Sequence, residues 1–142
     1  MNNTNNKQTE ILLGIDYGES RIGIAFGRQG LVSPVKIINA KNAITYVNEI
    51  NRLAGENNVT KIVIGLPLTF DNKETTASRK VRHFARILRI YIKKPIVFVN
   101  EYGSTDAALD AAIANGIGRK SRKVIDHFSA GLILKNYFAQ EN

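Results

Sequence analysis

Three carboxylates in this chain sit where carboxylates can do chemistry. Asp16 ends the apolar run ILLGI, Glu101 follows PIVFVN, and Asp126 falls inside RKVIDHFSAGLILKNYF. Brought together, three such groups would repel one another and raise each other's pKa unless a divalent cation neutralised them. Oxygen-only ligands favour magnesium or manganese. Two such ions held about 3.5–4 Å apart can activate a water and stabilise the charge that develops when a phosphodiester is hydrolysed. The competing reading of Asp16, from its own segment, is a turn cap that hydrogen-bonds nearby amides.

The elements around these residues decide whether they can meet. Ile11–Ile15 has the length and apolar run of a strand buried on both faces. Tyr17–Ser20 supplies turn chemistry, with Gly18 available for a positive φ, and Arg21–Phe26 resumes a β pattern. Leu31–Ile38 reads as a third strand, at an edge because Pro34 cannot donate to a ladder. These three make an antiparallel meander.

A helix is predicted over Asn42–Leu53 on an apolar series Ile44, Val47, Ile50 and Leu53, with Gly55 as its stop. Lys61–Ile64 is a short strand, and Gly65-Leu66-Pro67 turns the chain into a loop from Thr69 to Thr76 that could touch substrate. Thr75–Lys93 has the longest helical pattern. Val81, Phe84, Ala85, Leu88 and Ile92 form its apolar face, and Arg79, Arg82, Arg86 and Arg89 gather on another. That arginine stripe is either a solvated face whose stems cover apolar neighbours or a phosphate contact. Pro95–Val99 is a fifth strand, and the crossovers imply parallel pairing.

After Glu101, a helix capped by Ser104 or Thr105 runs to about Ala114, and a basic loop, Arg119-Lys120-Ser121-Arg122-Lys123, precedes a closing helix from Val124 to Phe138. On that helix Asp126, Ser129, Ala130 and Ile133 share a face, with small residues beside the acid. Open sheets of this kind bind ligands beyond the carboxyl ends of central strands, so Asp16 and Glu101 are expected on neighbouring strands, with Asp126 close by and the cations holding substrate. His127, adjoining Asp126, should point about 100° away around the helix and take no catalytic part.

Length and charge narrow the class. The chain has 142 residues, no cysteine and a net charge of +8, which suits one domain of an α/β protein without disulfides or thiolate chemistry and makes a polyanion the first partner to consider. Residues 1–9 are polar and asparagine-rich and read as a flexible tail, leaving 10–142 as the domain. No segment reaches the length of a membrane span or resembles a signal peptide, so the expectation is a soluble cytoplasmic protein.

Four blocks then match a known pattern in order and spacing. GIDYGESRIGIA, IVIGLPLTFD, NEYGST after a strand, and KVIDHFSAGLILKNYF resemble the motif blocks of the YqgF (RuvX-like) family, which covers most of the chain from Ile11 to Phe138. Its members are ribonuclease H-like proteins described as Holliday-junction resolvases and as nucleases of pre-16S rRNA processing. The resemblance implies a five-stranded mixed sheet, an antiparallel meander followed by parallel strands, flanked by helices. It also implies a metal-binding catalytic triad at the positions of Asp16, Glu101 and Asp126, and Gly18 and Arg21 match its first block. The third block departs from the pattern: the family reads aspartate-glutamate-arginine where this chain has Asn100-Glu101-Tyr102.

The expected activity is therefore magnesium- or manganese-dependent hydrolysis of phosphodiester bonds. Structured RNA, the pre-16S rRNA precursor above all, is the favoured substrate, and junction DNA is second. Arg21, Arg119, Lys120, Arg122 and Lys123 are the expected nucleic-acid contacts. Two alternatives stand beside it: a non-catalytic nucleic-acid-binding module on the same fold, and an actin-like or sugar-kinase phosphate hairpin built on Asp16-Tyr17-Gly18, for which one domain is too short.

Overall fold

The first strand, β1 (Ile11–Tyr17), is flanked by two partners of opposite sense. The computed structural model describes the backbone of residues 9–101 and 121–141, and within the last segment the side chains of 129–140. β2 (Arg21–Arg28) and β3 (Leu31–Asn39) continue antiparallel from β1, then α1 (Ala43–Glu56) crosses to β4 (Lys61–Leu66), which pairs parallel with β1. From β4, α2 (Thr76–Tyr91) crosses to β5 (Ile96–Asn100), parallel to β4, and α3 (Ser121–Glu141) closes the described chain. The sheet order is β3-β2-β1-β4-β5.

The expected five-stranded mixed sheet is thus present, with β3 on an edge as Pro34 requires. The β2–β3 register shifts between Ile24 and Ala25, next to Pro34, so the residue that cannot donate sits where the ladder is already interrupted. Gln29 and Gly30 join these strands with φ of 53° and 81°, the pair of positive values a two-residue hairpin turn demands. The β1–β2 turn is built differently. Gly18 is absent from the positive-φ residues; its amide donates to the Arg21 carbonyl at 2.9 Å, and a Cβ there would lie 2.9 Å from that same oxygen. Gly18 is needed for space, and the expectation of a positive φ is corrected.

Side-chain alternation splits the core in two. Leu13 and Ile15 of β1 with Ile62, Ile64 and Leu66 of β4 bury against α1 and α2, while Leu12, Ala25, Val63 and Val99 bury against Ala130, Ile133, Leu134 and Tyr137 of α3. All five residues expected on the apolar face of α2 are buried. α1 needs correcting: Ile44 is 75% exposed, and Tyr46 and Ala54 join Val47, Ile50 and Leu53 in the core. Steps of three residues rotate 300° each, so Ile44 lies half a turn from Leu53. Gly55 does not stop that helix, which continues to Glu56 and is capped at Asn57.

Ser121, Arg122 and Lys123 also differ from expectation, because they form the first turn of α3 and not a loop. The predicted tail, Tyr102, the predicted helix 104–114, Arg119 and Lys120 lie outside the described residues, as do the side chains of Arg122, Lys123, Asp126 and His127. Among the described residues no helix is long and apolar enough to cross a membrane.

Candidate active site

Asp16 is the penultimate residue of β1, and Glu101 directly follows β5. Both belong to the sheet face that packs on α3: Asp16 is in phase with Leu12, and Glu101 with Val99, each of which is buried among α3 side chains. The two strands are not neighbours, because β4 runs between them, which corrects the expected adjacency. The carboxyls meet nonetheless, and Glu101 hydrogen-bonds Asp16.

The residue between them is Gly65, which faces α3 like Val63, two residues earlier on β4. A Cβ built on Gly65 would lie 2.8 Å from Oε2 of Glu101 and 2.4 Å from Cδ1 of Ile133. Glu101 therefore crosses β4 through the space a side chain at 65 would fill. The sequence reading of Gly65-Leu66-Pro67 as a simple turn missed this, and its only signal was a glycine inside an otherwise apolar β-branched strand. The backbone amide of Glu101 donates to the Leu66 carbonyl at 3.2 Å, which fixes the start of its side chain against β4.

Glu101 is 8% exposed, and among the described residues its Oε2 has no hydrogen-bond partner. Burial, and then the neighbouring Asp16, push its pKa up to about 8. Glu101 thus keeps its proton to a higher pH than an ordinary carboxylate. Such a buried carboxylate oxygen beside a second carboxylate fits a hard divalent cation, which would replace that proton and satisfy the oxygen. Among the described residues no cluster of three such ligands occurs, and the Asp126 side chain lies outside them.

The course of α3 bears on Asp126. Ile133 lies over Gly65, and Tyr137, one turn later, accepts a 2.7 Å hydrogen bond from Lys61 Nζ at the other end of β4. The helix thus descends the sheet as the chain advances, and its earlier turns lie toward the carboxyl ends of β1, β4 and β5. Ser129 and Ala130, on the face expected to pack inward, are buried. Asp126 is on the α3 backbone one turn before them.

The other expected contacts are distributed as follows. Arg21 opens β2 directly after the turn beyond Asp16 and is half-buried. On α2, Arg82 is bonded to Glu74 and lies 5.3 Å from the Phe98 ring, and Arg89 lies 5.6 Å from the same ring. Arg79 and Arg86 are exposed. Half of the arginine stripe is thereby tied to β5. At the other edge of α2, Lys80 pairs with Glu19 in the β1–β2 turn, so the helix begins beside the carboxyl end of β1.

A family model described as Holliday junction resolvase, RuvX, matches residues 10–140. A relative from Nitrosospira multiformis is 35% identical over 133 residues, covering 92% of this chain and 88% of that protein, and carries the name "Putative pre-16S rRNA nuclease". A relative from Mycoplasma mobile bears the same name at 35% identity over 137 residues, covering 91% of this chain and 94% of that protein. Among solved structures, Thermus thermophilus RuvC in complex with a Holliday junction substrate matches with a TM-score of 0.55 and 12% identity over 92% of this chain and 96% of that one. Fowlpox virus resolvase in complex with Holliday junction DNA matches with a TM-score of 0.52 and 11% identity over 90% of this chain and 98% of that one. At these identities the structural likeness establishes a shared fold.

Proposed function

The chain belongs to the RuvX Holliday junction resolvase family, and from that premise we propose that it is a divalent-cation-dependent nuclease that cuts structured RNA in the maturation of pre-16S rRNA. The family supports hydrolysis of phosphodiester bonds, and the names of the relatives support the RNA substrate. The single observation that carries the metal is the buried Oε2 of Glu101 beside Asp16, which has no hydrogen-bond partner among the described residues.

Asp16 and Glu101 would hold the cation, with Asp126 as the third carboxylate. When bound, the cation supplies Lewis acidity toward a phosphodiester oxygen and lowers the pKa of an attacking water. The protein's own part is to give up the Glu101 proton and to hold both carboxyls on rigid strand ends. Burial on the α3 side keeps bulk water from Glu101. Arg21 beside Asp16 and the cations of 119–123 would bind the phosphates on either side of the cut, a role suited to the net charge of +8. On the same reading the polar tail ends at residue 9, residues 10–142 make one domain, and the work is done in the cytoplasm.

The test is cleavage of a labelled precursor rRNA fragment and of a four-way DNA junction by wild type and Asp16→Asn, with magnesium, manganese or chelator. Metal-dependent cutting of the RNA, lost in the variant, is the expected result. Cutting confined to the junction would reassign the substrate to DNA. Retained cutting by folded Asp16→Asn would overturn the assignment of the site, and binding without cutting by either protein would make the chain a non-catalytic nucleic-acid module.

A further inference from the structure

We propose that Gly65 is a positioning residue of this site: the missing side chain on β4 is the gap through which the Glu101 carboxyl reaches Asp16, and any larger residue there separates the two carboxylates. The inference rests on the reading of Asp16 and Glu101 as cation ligands.

Three observations converge on it. β4 lies between β1 and β5, so two carboxylates carried on the outer strands of this trio must bridge an intervening strand to touch. The bridge is made from one side only, because Asp16 is within its strand and Glu101 projects from just beyond the end of its own. The position crossed faces α3, and a methyl group on it would be 2.8 Å from Glu101 Oε2, inside contact distance.

The Glu101 carboxyl is the mobile end of its side chain and could move aside from such a methyl. Moving aside takes it off Asp16. Gly65 therefore differs from Gly14, for which the three atoms nearest an added Cβ all belong to Leu134, with Cγ at 2.5 Å, and none belongs to a carboxylate.

Ile133 complicates the obvious variant, since its Cδ1 and Cγ1 would lie 2.4 and 2.9 Å from the new Cβ and the substitution could fail through packing alone. The experiment therefore uses Ile133→Ala as the parent, which removes both atoms. Manganese binding is measured by calorimetry, and thermal stability with chelator is measured alongside. Adding Gly65→Ala to that parent is expected to weaken manganese binding by about 10- to 100-fold, the range seen when a residue that orients a ligand is lost. Unchanged manganese affinity in the doubly substituted protein would overturn the proposal.

A second measurement decides the matter where the double variant is too unstable to titrate. Gly65→Ala and Glu101→Ala are combined in a stability cycle without metal. The cost of Gly65→Ala is expected to shrink once the Glu101 carboxyl is gone, because the clash goes with it. An identical cost with and without the Glu101 side chain would overturn the proposal. This cycle needs no metal and no activity, so it stands even if wild type binds no manganese, an outcome that would instead remove the cation reading.

Discussion

The carboxyl of Glu101 hydrogen-bonds that of Asp16 across a strand that belongs to neither, and Glu101 is buried there. Two carboxylates in contact cannot both be ionised cheaply in such a place.

The metal-free protein should therefore lose stability as pH rises. The folded pKa of Glu101, about 8, lies above its ordinary 4.5, so the folded state holds an extra proton between those values. Stability falls where the folded state binds more protons than the unfolded one, which sets the window at roughly pH 4.5 to 8. Glu101→Gln keeps a hydrogen-bonding group but carries no charge. With chelator at pH 8 it should melt several degrees above wild type, at about 3 °C per kcal/mol for a chain of this size, while losing metal binding. Melting curves across pH check this, and parallel slopes for the two proteins would count against the buried carboxyl.

Arg82 and Arg89 should prove structural. Both lie over the Phe98 ring of β5, and Arg82 also donates two bonds to Glu74. Arg82→Ala is expected to lower stability by about 1 kcal/mol through the lost ring contact and stem packing. The salt dependence of RNA binding should be unchanged, since that slope counts phosphate contacts. Affinity measured from low to moderate salt separates the two roles.

Gly14 sets the closeness of α3 to the sheet. A Cβ there would lie 2.5, 2.9 and 3.0 Å from three carbons of Leu134. Gly14→Ala should cost about 1–3 kcal/mol by overpacking, and Leu134→Ala in the same chain should recover part of it. Denaturant midpoints for the single and double variants check this, and additivity of the two costs would exclude the contact.

Much of this site is legible in the sequence. Asp16 and Glu101 stood at the ends of apolar runs too short for helices, so a strand-end position followed from length and composition alone. What could not be read was that β4 separates them, because strand order depends on pairing between segments far apart in the chain. Gly65 was misread for that reason: within its own segment a glycine before Leu-Pro looks like a turn, and its meaning comes from two strands and a helix that meet there. The error at Ile44 was local. An exact i, i+3 series drifts around a helix, and Tyr46, a large residue between two members of the series, was the better candidate for the core. Gly18 serves the turn through the space it leaves and not through its backbone dihedral, which its own segment does not reveal.

The loop from Pro67 to Thr75 carries the last prediction. It leaves β4 two residues after Gly65 and is pinned at both ends of the site: the Thr75 hydroxyl donates to the Pro67 carbonyl at 2.7 Å, and Asn100, the residue before Glu101, donates its amide to Asn72 Oδ1 at 2.8 Å. Within it the Thr69 hydroxyl accepts from the Lys73 amide and donates to Asp71. Thr75 also caps α2 by accepting from the Ser78 amide at 2.9 Å. Thr75→Val keeps the shape of the side chain and removes both bonds, at a cost of about 1 kcal/mol from the cap. Because the loop adjoins Glu101 through Asn100 without supplying one of the proposed cation ligands, its loosening should raise KM for the RNA while kcat stays near wild type, and Thr75→Ser should restore both. A fall in kcat at unchanged KM would show that the loop holds Asn100, and through it Glu101, in place for the chemical step.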